Sequence, residues 1–170
     1  AGVSGGPHGA REGACVMGGG DEDVYKKYEQ LFRDIAAEHA YMHVGPPGAG
    51  HFVKMVHNGI EYGMMQSLAE GFAVLRTAPY NFDLKKIAGL YNNRSVIESR
   101  LAGWLAEAYE KHGEGLKEVS GTVMQSGEGL WTVETAKELG VETPIIEGAV
   151  EFRKQSEANP SYTGKALSAL

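Results

Sequence analysis

Residues 49 to about 77 carry one unbroken helical pattern, and the stretch GPPGAG at 45–50 stands directly in front of it. Two prolines and three glycines in six positions end any regular element that reaches them. The chain is therefore divided there into two pieces of different character. After the break the pattern stays helical. Asp83 to about Asn92 and Ser95 to His112 read as helices, the second closed by Gly113. Trp131 to Leu139 is another, ended by Gly140, and Thr143 with Pro144 opens one through about Ala158. Tyr162 to Leu170 reads as a final short helix or a tail. Before the break, residues 1–20 hold eight of the 24 glycines and read as loops joining short strands, Ala14 to Met17 the clearest of them. Asp21 caps a helix expected through about His39, and Tyr41 to Val44 is the next strand. A helix between two short strands looks like the last unit of an α/β sheet whose earlier strands are absent. The expected fold class is mainly α: a small α/β piece at 1–47, then an all-helical domain at 48–170.

Charge narrows the function classes. The formal net charge is −6, which argues against a nucleic-acid partner. An anion bound by this chain must meet a local cluster of Lys, Arg and amide groups. The single cysteine, Cys15, excludes an internal disulfide and suits a reducing cytoplasm. No apolar run approaches the roughly 20 residues that span a bilayer, so no membrane partner is expected. The first residues, AGVSGGPHGA, lack the blocks of a signal peptide and open without Met in glycine-rich sequence, from which truncation is expected.

The long helix carries the chemistry. With Lys54 at zero and each residue turning the helix by about 100°, His57 falls at about −60°, Asn58 at about +40°, Glu61 at about −20°, Tyr62 at about +80° and His51 at about +60°. Phe52, Val53, Met55, Val56, Ile60 and Met64 take the other side together with Gly59 and Gly63, whose spacing lets another helix approach closely. Lys54 and Glu61 are two turns apart, roughly 10 Å along the axis. That separation lets a base and an acid reach different carbons of one small extended substrate. A lysine acts as a base only where burial or a neighbouring cation favours its uncharged form. The plainer alternative is a half-exposed helix packed on its Val and Met side. His51, His57 and Glu61 also admit a metal reading, but no second motif supplies further ligands, and no metal is expected. In GVSGG at 2–6, Gly5 and Gly6 can offer successive backbone N–H groups and Ser4 a hydroxyl, enough to hold a carboxylate. Most such turns are only turns. It is neither a Walker loop nor a dinucleotide fingerprint.

At these residues the sequence becomes recognisable. GAGHFVKMVHNGIEYG at 48–63 resembles the signature of the 6-phosphogluconate dehydrogenases. The looser pattern Gly48, Gly50, Lys54, Asn58 resembles the wider β-hydroxyacid dehydrogenase superfamily, and His57, Glu61 and Tyr62 narrow it. GVSGG and GAREGACVMGGG at 9–20 are similar to that family's substrate loop and following strand, and SGEGLWTVETA at 126–136 resembles a late motif of the shorter bacterial form. The resemblance implies an all-helical C-terminal domain preceded by a remnant of a Rossmann-type domain. It implies oxidative decarboxylation of 6-phosphogluconate to ribulose 5-phosphate and carbon dioxide in the pentose phosphate pathway, with reduction of NAD or NADP. Carried over, Lys54 is the general base and Glu61 the acid that protonates C1 of the enediol. Asn58 and His57 bind substrate hydroxyl and carboxylate, Ser4, Gly5 and Gly6 the carboxylate end, and Tyr62 the phosphate. The alternatives are another β-hydroxyacid dehydrogenase with a non-phosphorylated substrate, or a helical dimerisation module with an unused site; apolar faces around Gly59, Gly63, Trp104 and Trp131 favour a homodimer or higher homo-oligomer. By the same resemblance the cofactor site is expected to lie largely in a nucleotide-binding domain missing from this sequence, so the chain alone is not expected to turn over. Leu130 stands where the family usually carries Arg or Lys, and Glu98 lies near the place of a phosphate-binding Arg. Arg94, Arg100 and Lys117 are the substitutes the sequence offers.

Overall fold

The computed structural model describes all of residues 1–170. Two compact units emerge, Ala1–Asn58 and Gly59–Leu170.

The first unit is a three-stranded sheet with helices. Strand β1 (Gly2–Ser4) pairs antiparallel with β2 (Ala14–Gly19), placing Ser4 opposite Cys15. Between them lies α1 (Gly6–Glu12), a helix where loop was expected. Its signal was Pro7 in the first turn, where a missing N–H costs nothing. Asp21 caps α2 (Glu22–Lys27) as expected, its carboxylate accepting from the N–H groups of Asp23 and Val24. The helix expected to reach His39 is instead broken at Tyr28 (φ −110°, ψ 11°), resumes as α3 (Glu29–Ile35) and ends there. The chain then enters β3 (Ala36–Gly45), parallel to β2. Ala36 faces Ala14 while Tyr41 already faces Val16, so residues 37–40 form a bulge, with His39 at φ 59°. Regular pairing resumes at Tyr41, where the sequence placed its strand.

The second unit is all helical. It holds most of α4 (Ala49–Thr77), whose bounds match the sequence pattern, then α5 (Leu84–Tyr91), α6 (Arg100–His112), α7 (Glu128–Glu138), α8 (Pro144–Ser156) and α9 (Tyr162–Ala169). Helix α6 starts later than Ser95 because Ser99 is its cap, its hydroxyl accepting from the Ala102 N–H. The core gathers Phe72, Leu105, Leu116 and Leu167, all essentially buried, around Ala69, Ala88 and Ala166. Each large side chain there contributes about 1.5–3 kcal/mol. A smaller cluster joins Tyr62, Val133, Ala149 and Val150, with Leu130 and Ile146 against it.

The glycines of α4 work as their spacing suggested, within this chain. A Cβ on Gly59 would press into Thr132 of α7, and one on Gly63 would touch Ile145 of α8 at 3.3 Å. The apolar side of α4 is less covered than expected. Ile60 and Met64 remain about half exposed, at 53% and 45%, and line an apolar groove with Val96, Ile97 and Ile145. No helix is long and apolar enough to cross a membrane.

Candidate active site

Glycines seat the start of α4 against the sheet. Gly48 has φ 95°, which admits a side chain only at a steric cost, and lets the chain turn into the helix. Gly50 lies so close to β2 that a Cβ would overlap the Met17 carbonyl. A Cβ on Gly2 would likewise collide with Lys54. The paired glycines of GAG thus have one physical reason: only a bare backbone lets the first turns of α4 reach the strand ends. Lys54 is brought beside β1 as a result.

Around Lys54 the side chains form a hydrogen-bonded row. Lys54 Nζ donates to Asn58 Oδ1 at 2.5 Å and lies 3.5 Å from His57 Nδ1. His57 Nδ1 is 3.0 Å from Asn58 Oδ1, and His57 Nε2 is 3.2 Å from Ser4 Oγ. All four residues are half buried. Ser4 reaches His57 because β1 ends there and the chain turns through Gly5 (φ 135°) and Gly6 (φ 55°), both in backbone conformations that favour glycine. The Gly5 carbonyl is taken by the Gly9 N–H of α1. Space for a Cβ lies open at Gly6.

Glu61 follows two turns later on α4 and is half buried. Tyr62 beside it is buried, at 8% exposure. Its hydroxyl accepts the Ser126 N–H at 3.3 Å, and a Cβ on Gly129 would overlap its ring. On the Tyr62 ring, 3.8 Å from its centroid, lies the guanidinium of Arg153 from α8. Arg153 is 3% exposed; Nη2 contacts Met65 Sδ at 3.7 Å, while Nε and Nη1 have no hydrogen-bond partner. Burial holds its pKa below the usual arginine value, partly offset by Tyr62 and by the charge of Glu61.

Arg153 is the residue that sequence reasoning missed. Its signal was position: Ala149, Val150, Arg153 and Ser156 form the buried stripe of α8, and an arginine on such a stripe calls for a reason. Three further cations were suggested by the sequence. Arg94, Arg100 and Lys117 are all exposed, and the Glu98 carboxylate is bonded to the Arg94 N–H. Leu130 packs against the Tyr62 cluster. His51 is exposed, and no three His, Cys, Asp or Glu side chains gather as metal ligands do.

Residues 50–165 match the family model of the 6-phosphogluconate dehydrogenase C-terminal domain, and residues 1–45 match the NAD binding domain of 6-phosphogluconate dehydrogenase. YqeC of Bacillus subtilis (strain 168), provisionally named a 6-phosphogluconate dehydrogenase, is 47% identical over 170 residues, covering 100% of this chain and 57% of its own. A Haloferax volcanii protein named 6-phosphogluconate dehydrogenase, NAD(+)-dependent, decarboxylating, is 37% identical over 99% of this chain and 57% of its own. The chain thus spans somewhat over half the length of these relatives. Among solved structures, the Plasmodium falciparum 6-phosphogluconate dehydrogenase, studied as apoprotein, with its cofactor NADP+ and with its substrate 6-phosphogluconate, superposes with a TM-score of 0.77 at 28% identity, over 91% of this chain and 35% of that one. With a family model matched over residues 50–165, most of its length, the chain belongs to the 6-phosphogluconate dehydrogenase family.

Proposed function

We propose that this chain is the substrate-holding part of an enzyme that oxidatively decarboxylates 6-phosphogluconate to ribulose 5-phosphate and carbon dioxide. The row Lys54, Asn58, His57, Ser4, with Glu61 two turns on, is the observation that carries the reading. The domain division is proposed at 47/48, where GPPGAG interrupts the chain.

NAD or NADP would supply the hydride acceptor. Residues 1–45 carry no GxGxxG turn of the kind that cradles a pyrophosphate, and turnover is assigned to a protein that supplies such a turn as well. What these residues do is hold the substrate and move protons. Lys54 accepts the proton of the C3 hydroxyl as that carbon gives up its hydride, then returns the proton to the keto oxygen while the C1–C2 bond breaks and C1 departs as carbon dioxide. The electron pair of that bond remains in the C2–C3 enediol; Glu61 delivers a proton to the former C2, which becomes C1 of the product, as Lys54 takes back the enediol hydroxyl proton. Ser4, the N–H groups at Gly5 and Gly6, His57 and Asn58 hold the carboxylate and hydroxyl end. Tyr62 takes the phosphate end, and Arg153 joins it. A buried guanidinium with two unpartnered nitrogens is the strongest local reason for an anion in this part of an acidic chain. Reduced cytoplasm is the proposed location, and a homodimer the proposed assembly.

The reading is tested by carbon dioxide release from 6-phosphogluconate labelled at C1, using a protein carrying both domains with NAD or NADP. One labelled carbon dioxide per reduced cofactor is expected. Cofactor reduction without label release would leave a simple hydroxyacid dehydrogenase in its place.

A further inference from the structure

The protons of the Lys54 row can be assigned from its distances. Asn58 Oδ1 is approached by Lys54 Nζ at 2.5 Å and by His57 Nδ1 at 3.0 Å. Turning the amide over would aim its NH2 group at the lysine amine, donor against donor, so the carbonyl faces both neighbours. A bare Nδ1 would then set its lone pair against the carbonyl lone pairs at hydrogen-bond distance. The alternative, Nδ1 accepting from Lys54, relies on a 3.5 Å separation at the outer edge of hydrogen bonding. The two short contacts decide against the long one.

We propose that Asn58 is a positioning residue whose side-chain carbonyl keeps a proton on His57 Nδ1 while anchoring the Lys54 amine. The ring is thereby oriented by a fixed Nδ1–H bond, and it meets Ser4 and any ligand through Nε2 alone. Because the carbonyl accepts from two protein groups, Asn58 addresses a ligand with its NH2 as a donor. The group it selects is an acceptor, an oxygen of a hydroxyl, keto or carboxylate function. Lys54 is held in one rotamer before substrate arrives, which spares the reaction part of that ordering. The catalytic meaning rests on the proposed function; the proton assignment does not.

Long-range 15N–1H spectra of the 170-residue chain at alkaline pH read the ring directly. His57 Nδ1 is expected at a protonated-nitrogen shift. Asn58→Leu, which removes the acceptor, moves that proton to Nε2, the site favoured by a free histidine. Asn58→Asp, which keeps an acceptor oxygen, leaves it on Nδ1. Ser4→Ala, a second variant distant from the carbonyl, also leaves it there. A bare Nδ1 in the unaltered chain, or a proton that stays on Nδ1 in Asn58→Leu, overturns the assignment. Calorimetric titration with 6-phosphogluconate separates the two claims. Binding with a bare Nδ1 sinks this inference alone, whereas a protonated Nδ1 without binding sinks the functional reading and leaves the assignment intact.

Discussion

Lys54 on α4 and Arg153 on α8 are both basic, but they are built in opposite ways. Lys54 is half buried in a row where every named neighbour gives or takes a hydrogen bond. Arg153 is almost wholly buried, stacked on Tyr62, with two nitrogens left unpartnered. A satisfied row is preorganised and needs little from a ligand to stay in place. An unsatisfied buried cation is costly, and that cost falls when an anion arrives. Under the proposed function the difference suits the two residues to different tasks: proton transfer at Lys54, anion retention at Arg153.

The sharpest way to break this division is Lys54→Ala in the two-domain enzyme. A general base contributes on the order of 10²–10⁴-fold, so kcat should fall by about 10³-fold with KM little changed. A loss confined to KM would make Lys54 a binding residue. Glu61→Ala comes next, with a fall of about 10²-fold in product formation and release of keto intermediate, followed by trapping with borohydride. Equal effects of both changes on the oxidation step would erase the distinction between base and acid.

Arg153→Met sharpens the other side. Loss of a charge-assisted bond of about 1.5–3 kcal/mol should weaken 6-phosphogluconate binding roughly 10- to 100-fold. Melting should not drop, because an apolar chain of similar length replacing an unpaired buried cation is often neutral or stabilising. The opposite pattern, lower Tm with affinity intact, would make Arg153 a packing residue. Gly50→Ala should cost about 1–3 kcal/mol in denaturant unfolding, since its Cβ meets the Met17 carbonyl where β2 and α4 touch. Smallest of all, Arg94→Ala, Arg100→Ala and Lys117→Ala should each change substrate affinity less than about twofold, being exposed.

The sequence made the strongly periodic elements legible and the locally ambiguous ones misleading. Helix α4 was read to its ends because GPPGAG stops everything before it and its apolar and polar faces repeat with helical spacing. Residues 36–40, AAEHA, are good helix formers, yet they begin β3; pairing with β2 and a bulge at His39 override local preference. Helix α1 was hidden by its glycines. In the candidate site, Lys54, His57 and Asn58 were foreseen as neighbours because three and four residues apart on a helix means adjacent. The stacking of Arg153 on Tyr62 was not, because it joins α8 to α4 between positions far apart in the chain that no periodicity connects.

The central claim is that this chain holds a phosphorylated sugar acid on the Lys54 face of α4. Isothermal titration of the 170-residue chain with 6-phosphogluconate, and in parallel with gluconate, tests it most directly. Saturable heat with 6-phosphogluconate, at least about tenfold tighter than with gluconate and weakened by Asn58→Leu, is the expected result. No saturable heat, or equal affinity for the two acids, contradicts it.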